Sequence, residues 1–334
     1  MKQADFYQLL ENGVVQCQLC PHSCLIADGE RGICHVRSNR SGVLYSELFE
    51  KVSSLGVDPI EKKPLFHFYP GTQILSVGTV GCNLKCNFCQ NYRISQANNF
   101  RPATKTYTAS EIVEMARRTP NNIGIAFTYN EPVISYEYIL NIAELAGNYG
   151  LKRVLVTNGY INQKPLTKLL PVIDALNVDL KAFTDTFYRG VTQARLEPVK
   201  KSLKQISESG KHLEITNLVI PGLNDNYTDF EKMVKWIATE TGERTVLHIS
   251  RYFPNYKLSV SATPLSTLFD LFEIAKANLV FVYLGNAVNN IHESTYCDNC
   301  GTKVISREGY RAEVIGLDHN GNCQHCRQHI LDYC

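Results

Sequence analysis

Between residue 74 and residue 285 the chain repeats one unit, a short β-rich run followed by an amphipathic helical stretch. The β-rich runs lie at 74–79, 123–128, 152–157, 173–179, 212–219 and 245–250, with a seventh at 279–284. Helical patterns fall at 109–118, 133–148, 165–170, 198–209, 227–240 and 264–276. Strands separated by a helix pair in parallel, because a crossover returns the chain to the same end of the sheet. About six such units predict an α/β fold, a partial (β/α)6 TIM-like barrel whose chemistry gathers at the C-terminal ends of its strands. Local signals agree: Thr108-x-x-Glu111 is a capping box for the first helix, and Asn148-Tyr149-Gly150 is a stop for the second.

Directly after the first run comes Gly81-Cys82-Asn83-Leu84-Lys85-Cys86-Asn87-Phe88-Cys89, with three cysteines spaced C-x3-C-x2-C. A closed four-iron cluster or a structural zinc site takes four ligands, and this loop offers three. A cluster held by three thiolates keeps one iron open to a small molecule. The alternative is a zinc knuckle that borrows its fourth ligand from elsewhere in the chain.

Cys82, Cys86 and Cys89, with Phe88 before the last, resemble the signature of the radical S-adenosylmethionine (SAM) enzymes. The resemblance implies a [4Fe-4S] cluster whose open iron chelates SAM. One electron from the cluster then cleaves the sulfonium, yielding a 5′-deoxyadenosyl radical that abstracts hydrogen from a substrate. Ile60-Glu61-Lys62-Lys63-Pro64-Leu65-Phe66-His67 further resembles the pyruvate formate-lyase activating enzyme-like branch. Phe66, Phe68 and Tyr69 are expected to pack against the barrel mouth.

The strand ends carry the remaining candidates. Glu131, in Thr128-Tyr129-Asn130-Glu131-Pro132, stands where the activating enzymes have Gly-Gly-Glu-Pro, which implies pairing with the SAM ammonium; here Tyr129 and Asn130 replace the glycines. A helix-capping role before Pro132 is the alternative. Thr157 and Asn158, before Gly159, and Asp179 and Lys181, around Leu180, resemble the same enzymes' Thr-Asn-Gly and Asp-Leu-Lys. Alternation puts Asn177, Asp179 and Lys181 on one face. The resemblance implies SAM contacts, whereas a structural salt bridge is the plain reading of the Asp179 and Lys181 pair. Val156 replaces the aspartate that would complete a cation site. Related enzymes carry an arginine near Thr216; here Thr216 and Asn217 are left to hold the SAM carboxylate. His248 and Arg251 close the sixth strand as candidates for SAM or substrate, with a core role as the alternative for His248. Tyr129-Asn130-Glu131-Pro132 and His248-Ile249-Ser250-Arg251-Tyr252 together resemble the radical SAM member of the AmmeMemoRadiSam system, which implies Memo-like and AMMECR-like partners.

Two cysteine-rich modules flank the barrel at 74–289. The first, within 1–73, holds Cys17, Cys20, Cys24 and Cys34, a complete ligand set for zinc or a second cluster. His22 and His35 could replace one cysteine. The second, 290–334, carries Cys297-x-x-Cys300 and Cys323-x-x-Cys326, a zinc ribbon with rubredoxin-like iron as the alternative, and leaves Cys334 over.

Eleven of the twelve cysteines lie in clusters behind an N-terminus that lacks a signal-peptide core, which predicts metal binding in a reducing cytoplasm. A net charge of +2 argues against a broad nucleic-acid surface, and no apolar run is long enough to span a membrane. The expected activity is that of a radical SAM enzyme acting on a small molecule or side chain, fed by a flavodoxin or ferredoxin. A glycyl-radical activase and a non-catalytic metal scaffold are the alternatives.

Overall fold

Both faces of the central sheet are covered, so its strands are near-continuous apolar runs such as Ile74-Leu75 and Val154-Leu155-Val156. The computed structural model describes residues 1–96, 102–287 and 292–333; Cys334 lies outside them. Strand β1 (Ser54–Pro59) pairs antiparallel with β2 (Gln73–Gly78). From β2 the sheet continues in parallel through β3 (Asn122–Phe127), β4 (Lys152–Thr157), β5 (Ala175–Asp179), β6 (His212–Val219), β7 (Val246–Arg251) and β8 (Val282–Gly285). Among the described residues the sheet remains open, with β1 and β8 as its edges. It is thus the expected partial barrel, extended by the seventh run and by an edge strand from the segment preceding residue 74.

Helices α1 (Ala109–Arg118), α2 (Tyr136–Gly147), α3 (Gln163–Leu169), α4 (Leu196–Glu208), α5 (Tyr227–Thr241) and α6 (Leu265–Lys276) form the crossovers. The capping box is made: the Glu111 N–H donates to Thr108 Oγ1 (3.2 Å), and the Thr108 N–H donates to the Glu111 carboxylate (2.7 Å). Helix α1 then buries Ala109, Ile112, Val113 and Ala116, the i, i+3, i+4, i+7 stripe that faces a core.

The barrel floor is filled by residues 60–68. Ile60, Leu65 and Phe68 pack among Ile74, Ala126, Val154 and Ala175, on four neighbouring strands. Phe66 and Phe68 therefore pack in the floor, not at the mouth as expected. Pro64 cannot donate a backbone hydrogen bond, and its carbonyl accepts from Asn177 Nδ2 (2.8 Å). The Phe66 and His67 N–H groups donate to the fully buried Glu214 carboxylate at 2.9 and 2.7 Å.

The C-terminal strands Thr295–Tyr296, Lys303–Glu308 and Arg311–Val314 form a small antiparallel sheet beside the open seam. Arg307 reaches from it into the floor and donates to Phe66 O (2.6 Å) and Thr295 Oγ1 (2.7 Å). At the other end, Ala4, Val15, Leu19, Ile26 and Leu44 belong to the same continuous apolar cluster as the barrel. A short segment with too little surface for its own core is stabilised this way.

Candidate active site

The three-cysteine loop leaves the end of β2 and is held from both sides. Asn130 Nδ2 donates to Thr79 Oγ1 and Gly81 O, each at 2.9 Å, and its Oδ1 accepts from the Thr79 N–H (3.0 Å). Gly81 has φ +93°, and a Cβ there would lie 2.8 Å from Cys34 O. On the far side, the Lys85 and Asn87 N–H groups donate to Thr192 O and Val191 O. Cys86 is 7% exposed, and burial pushes its thiol up to about 12; burial raises Cys82 and Cys89 as well. A centre that takes these sulfurs as thiolates must therefore bring its own positive charge.

The three thiols and the Phe88 ring line a cavity of about 500 Å3 at the C-terminal ends of the strands, a size suited to a small molecule. Glu131 forms part of the same wall. Its carboxylate accepts from Thr157 Oγ1 (2.7 Å), the Asn158 N–H (2.7 Å) and the Val133 N–H (3.2 Å). The last bond is the helix-capping role, so Glu131 both caps the turn Pro132–Ser135 and faces the cavity. All three donors are neutral. Burial raises the carboxyl to about 7, and the Asp179 charge adds to the rise. Across the cavity Lys181 Nζ lies 2.8 Å from Asp179 Oδ2 and 5.8 Å from the Phe88 ring. Burial works against the Lys181 charge, but Asp179 and the field of Cys86 outweigh it and raise the ammonium further, so it stays charged. Thr216 also lines the cavity, with its hydroxyl donating to Asn177 Oδ1 (3.0 Å).

Other candidates are placed differently. Asn158 lines the cavity but spends its amide on Asn83 Oδ1 (2.9 Å), with Cys82 Sγ 3.7 Å away, so it braces the loop. Asn217 alternates to the outer face, where it donates to Leu180 O (2.7 Å) and lies 3.7 Å from Met233 Sδ on α5. His248 is 2% exposed, with Nε2 2.5 Å from Glu214 Oε2, and fits the core role; its cavity is the neighbouring one, not that of the cysteines. Arg251 turns aside to Thr263 O (2.8 Å) and over the Phe253 ring.

Comparison with known proteins agrees with this arrangement. A sequence model of the Radical SAM superfamily matches residues 76–237, from within β2 into α5. The chain belongs to the radical SAM superfamily. It is 44% identical over 333 residues to an uncharacterized protein of Methanocaldococcus jannaschii, covering 99% of each. Over 169 residues it is 23% identical to a pyruvate formate-lyase-activating enzyme of Streptococcus mutans, covering 48% of this chain and 64% of that one. In structure it is similar to a radical SAM methyltransferase from Sphaerobacter thermophilus, with a TM-score of 0.52, 16% identity, and coverage of 74% of this chain and 72% of that one. Radical SAM proteins are enzymes that use a [4Fe-4S] cluster and SAM, and this chain is one of them. Its site fits that pair: three thiols, Cys86 buried and Cys82 and Cys89 partly so, without a fourth in the loop, beside a carboxylate that pairs with no cation among the described residues.

Sequence reasoning missed the network that shapes the radical SAM site from below. Tyr129 has a left-handed backbone, with φ +72°. That conformation costs a non-glycine residue roughly 1–2 kcal/mol. The ring is held in place because Gly78 leaves room for it, since a Cβ there would meet it at 2.8 Å, and because its hydroxyl donates to Asp58 Oδ2 (2.6 Å). The same oxygen accepts from Lys63 Nζ (2.7 Å), a buried lysine that lines the cavity floor and also donates to Ser76 Oγ. The Lys-Lys-Pro run was the available signal, read as family resemblance without chemistry.

The terminal cysteines differ in spacing. Cys297 and Cys326 Sγ lie 3.5 Å apart, and Cys300 and Cys323 Sγ 3.7 Å. Among the described residues this quartet alone gathers its sulfurs within 4.8 Å of one another. His22 Nε2 is engaged with Asn83 O at 2.7 Å.

Proposed function

We propose that this enzyme reductively cleaves SAM at a [4Fe-4S] cluster held by Cys82, Cys86 and Cys89, and abstracts hydrogen from a small molecule. The observation that carries this reading is the shared cavity: the three thiols on one wall, with Glu131 and the Lys181–Asp179 pair on the others. The cluster supplies the electron, drawn in turn from a flavodoxin- or ferredoxin-type donor. Glu131 receives the SAM ammonium, Lys181 and Thr216 lie toward the carboxylate end, and Phe88 covers one side. Anaerobic reconstitution with iron and sulfide, followed by reduction with SAM, is expected to yield 5′-deoxyadenosine. Cys82→Ala, Cys86→Ala or Cys89→Ala is expected to abolish it together with the charge-transfer absorption. Retained SAM cleavage in any of them sinks the assignment.

A small substrate is favoured over a protein loop by what lies at the open seam. A second cavity of about 820 Å3 adjoins the first, sharing Lys62, Pro64, Gln90 and Tyr310. Its walls come from the floor segment at 61–66, from β7 and the edge strand β8, and from the C-terminal hairpin at 307–310, so that hairpin occupies the side on which a large partner would enter. The activase reading draws on the similarity to the pyruvate formate-lyase-activating enzyme. A persistent glycyl radical signal on a partner protein would establish it.

The motifs around Glu131 and His248 support membership of the AmmeMemoRadiSam system, with Memo-like and AMMECR-like partners, which pull-down with those proteins tests. The C-terminal quartet fits zinc. Tetrahedral Zn–S bonds of about 2.3 Å put sulfurs about 3.8 Å apart, close to the 3.5 and 3.7 Å found. Free thiols in such clusters suit a cytoplasmic setting. No helix among the described residues is long and apolar enough to cross a membrane.

A further inference from the structure

The N-terminal cysteines come together without closing on a point. Cys20 feels the charges of Cys17, Cys24 and Cys34, and the Cys17 N–H donates to Cys24 O (2.9 Å), so the four share one neighbourhood. Yet no three of their sulfurs meet the 4.8 Å mutual spacing that the C-terminal quartet meets, and neither do Cys82, Cys86 and Cys89. The chain thus carries its own calibration. Four thiolates around one zinc ion must converge. Thiolates that each bind a different iron of a cube stand farther apart.

Two buried cations flank the N-terminal set. Arg37 is 1% exposed. Its Nη2 is taken by Asp5 O and Glu137 Oε1, while Nε and Nη1 are buried with no acceptor. The guanidinium acts electrostatically on Cys17 and Cys34. Lys85 Nζ is also buried without a hydrogen-bond partner, and both Cys34 and Cys82 act on it. Donors left unpaired in this way are costly, and an anionic centre between them would satisfy them. The two cysteine sets also touch: Cys34 O abuts Gly81, and His22 bonds Asn83 O.

We propose that Cys17, Cys20, Cys24 and Cys34 hold a second four-iron cluster, set against the three-cysteine loop with Lys85 between them. The argument rests in part on the cluster reading of that loop, and the test separates the two. Protein purified anaerobically from iron- and zinc-supplemented culture, then reconstituted with ferrous iron and sulfide, is expected to carry about eight irons, about eight inorganic sulfides and about one zinc per chain. About four irons with about two zincs would overturn the proposal without any variant having to fold. The triple variant Cys82→Ala, Cys86→Ala, Cys89→Ala is expected to keep about four irons and a reducible iron–sulfur spectrum. Loss of all iron from it would also overturn the proposal. If the wild type holds about four irons and the triple variant keeps them all, the N-terminal cluster stands and the core assignment fails instead.

Discussion

Two buried carboxylates lie toward opposite ends of the same barrel and meet opposite fates. Glu214, near the start of β6, accepts from two backbone N–H groups and lies against both His212 and His248, at 2.9 and 2.5 Å. These partners hold its carboxyl well below the usual range despite complete burial. Glu131, beyond the end of β3, also accepts several hydrogen bonds, but burial wins and raises it to about 7. The difference lies in charge: Glu214 sits among ionisable histidines, and Glu131 has neutral donors and a neighbouring Asp179. A carboxylate with its partners built in is structural. One that faces a cavity and pairs with none of the described cations is prepared for a cationic ligand.

The largest effect expected from this contrast is on stability. Glu214→Ala removes the anchor of the floor segment and leaves two buried N–H groups unpaired. It is expected to cost roughly 3–5 kcal/mol in denaturant unfolding, whereas Glu131→Gln keeps shape and most acceptors and should cost about 1 kcal/mol. Equal losses would break the comparison. In ligand binding the order reverses. Glu131→Gln is expected to weaken SAM binding about tenfold or more, equivalent to about 1.4 kcal/mol, with the cluster spectrum unchanged in a titration of reconstituted protein.

The pH dependence sharpens the contrast. For Glu214, with a depressed carboxyl, the stabilisation is present above the unfolded value and is lost as pH falls through the folded one. For Glu131, with a raised carboxyl, the folded state holds a proton between the ordinary carboxylate range and about 7, so its contribution to stability declines as pH rises through that window. SAM brings an ammonium that prefers the ionised form. Its affinity should therefore rise with pH up to about 7, by at most about tenfold per unit, and then level off. Isothermal titration in buffers of different ionisation enthalpy would register the released proton. A flat profile in the parent protein, or an unchanged slope in Glu131→Gln, removes Glu131 from the ammonium site.

Smaller effects are expected around the cavity. Asp179 is 38% exposed in its side chain, so solvent screens the Lys181 pair. Lys181→Ala should accordingly raise the SAM dissociation constant by only about three- to tenfold. No change at all would make that lysine structural. Lys152 begins β4 at the far end, over the Tyr69 ring. Lys152→Ala should leave SAM affinity within about twofold, the scatter of a surface substitution.

Much of the fold was legible in the sequence because it rests on local patterns. Apolar runs separated by amphipathic helices imply parallel pairing whatever the details, and the spacing of Cys82, Cys86 and Cys89 marks the loop before any contact is known. The inward alternation of Asp179 and Thr216 follows from a period of two. Other roles required the closed structure, since they depend on residues distant in sequence. Glu214 gains meaning from His248 and from the backbone of Phe66, 148 residues away. Asn217 and Arg251 stand in motifs at strand ends, and their facing was settled by α5 and by Thr263. Tyr129 breaks the glycine pattern on paper yet adopts a left-handed backbone, because Gly78 and Asp58 make room for its ring and hold it. The cysteine motifs at both termini look equally complete as strings of letters. Their sulfur spacings differ because tertiary packing, not ligand count, sets how far apart the thiols stand.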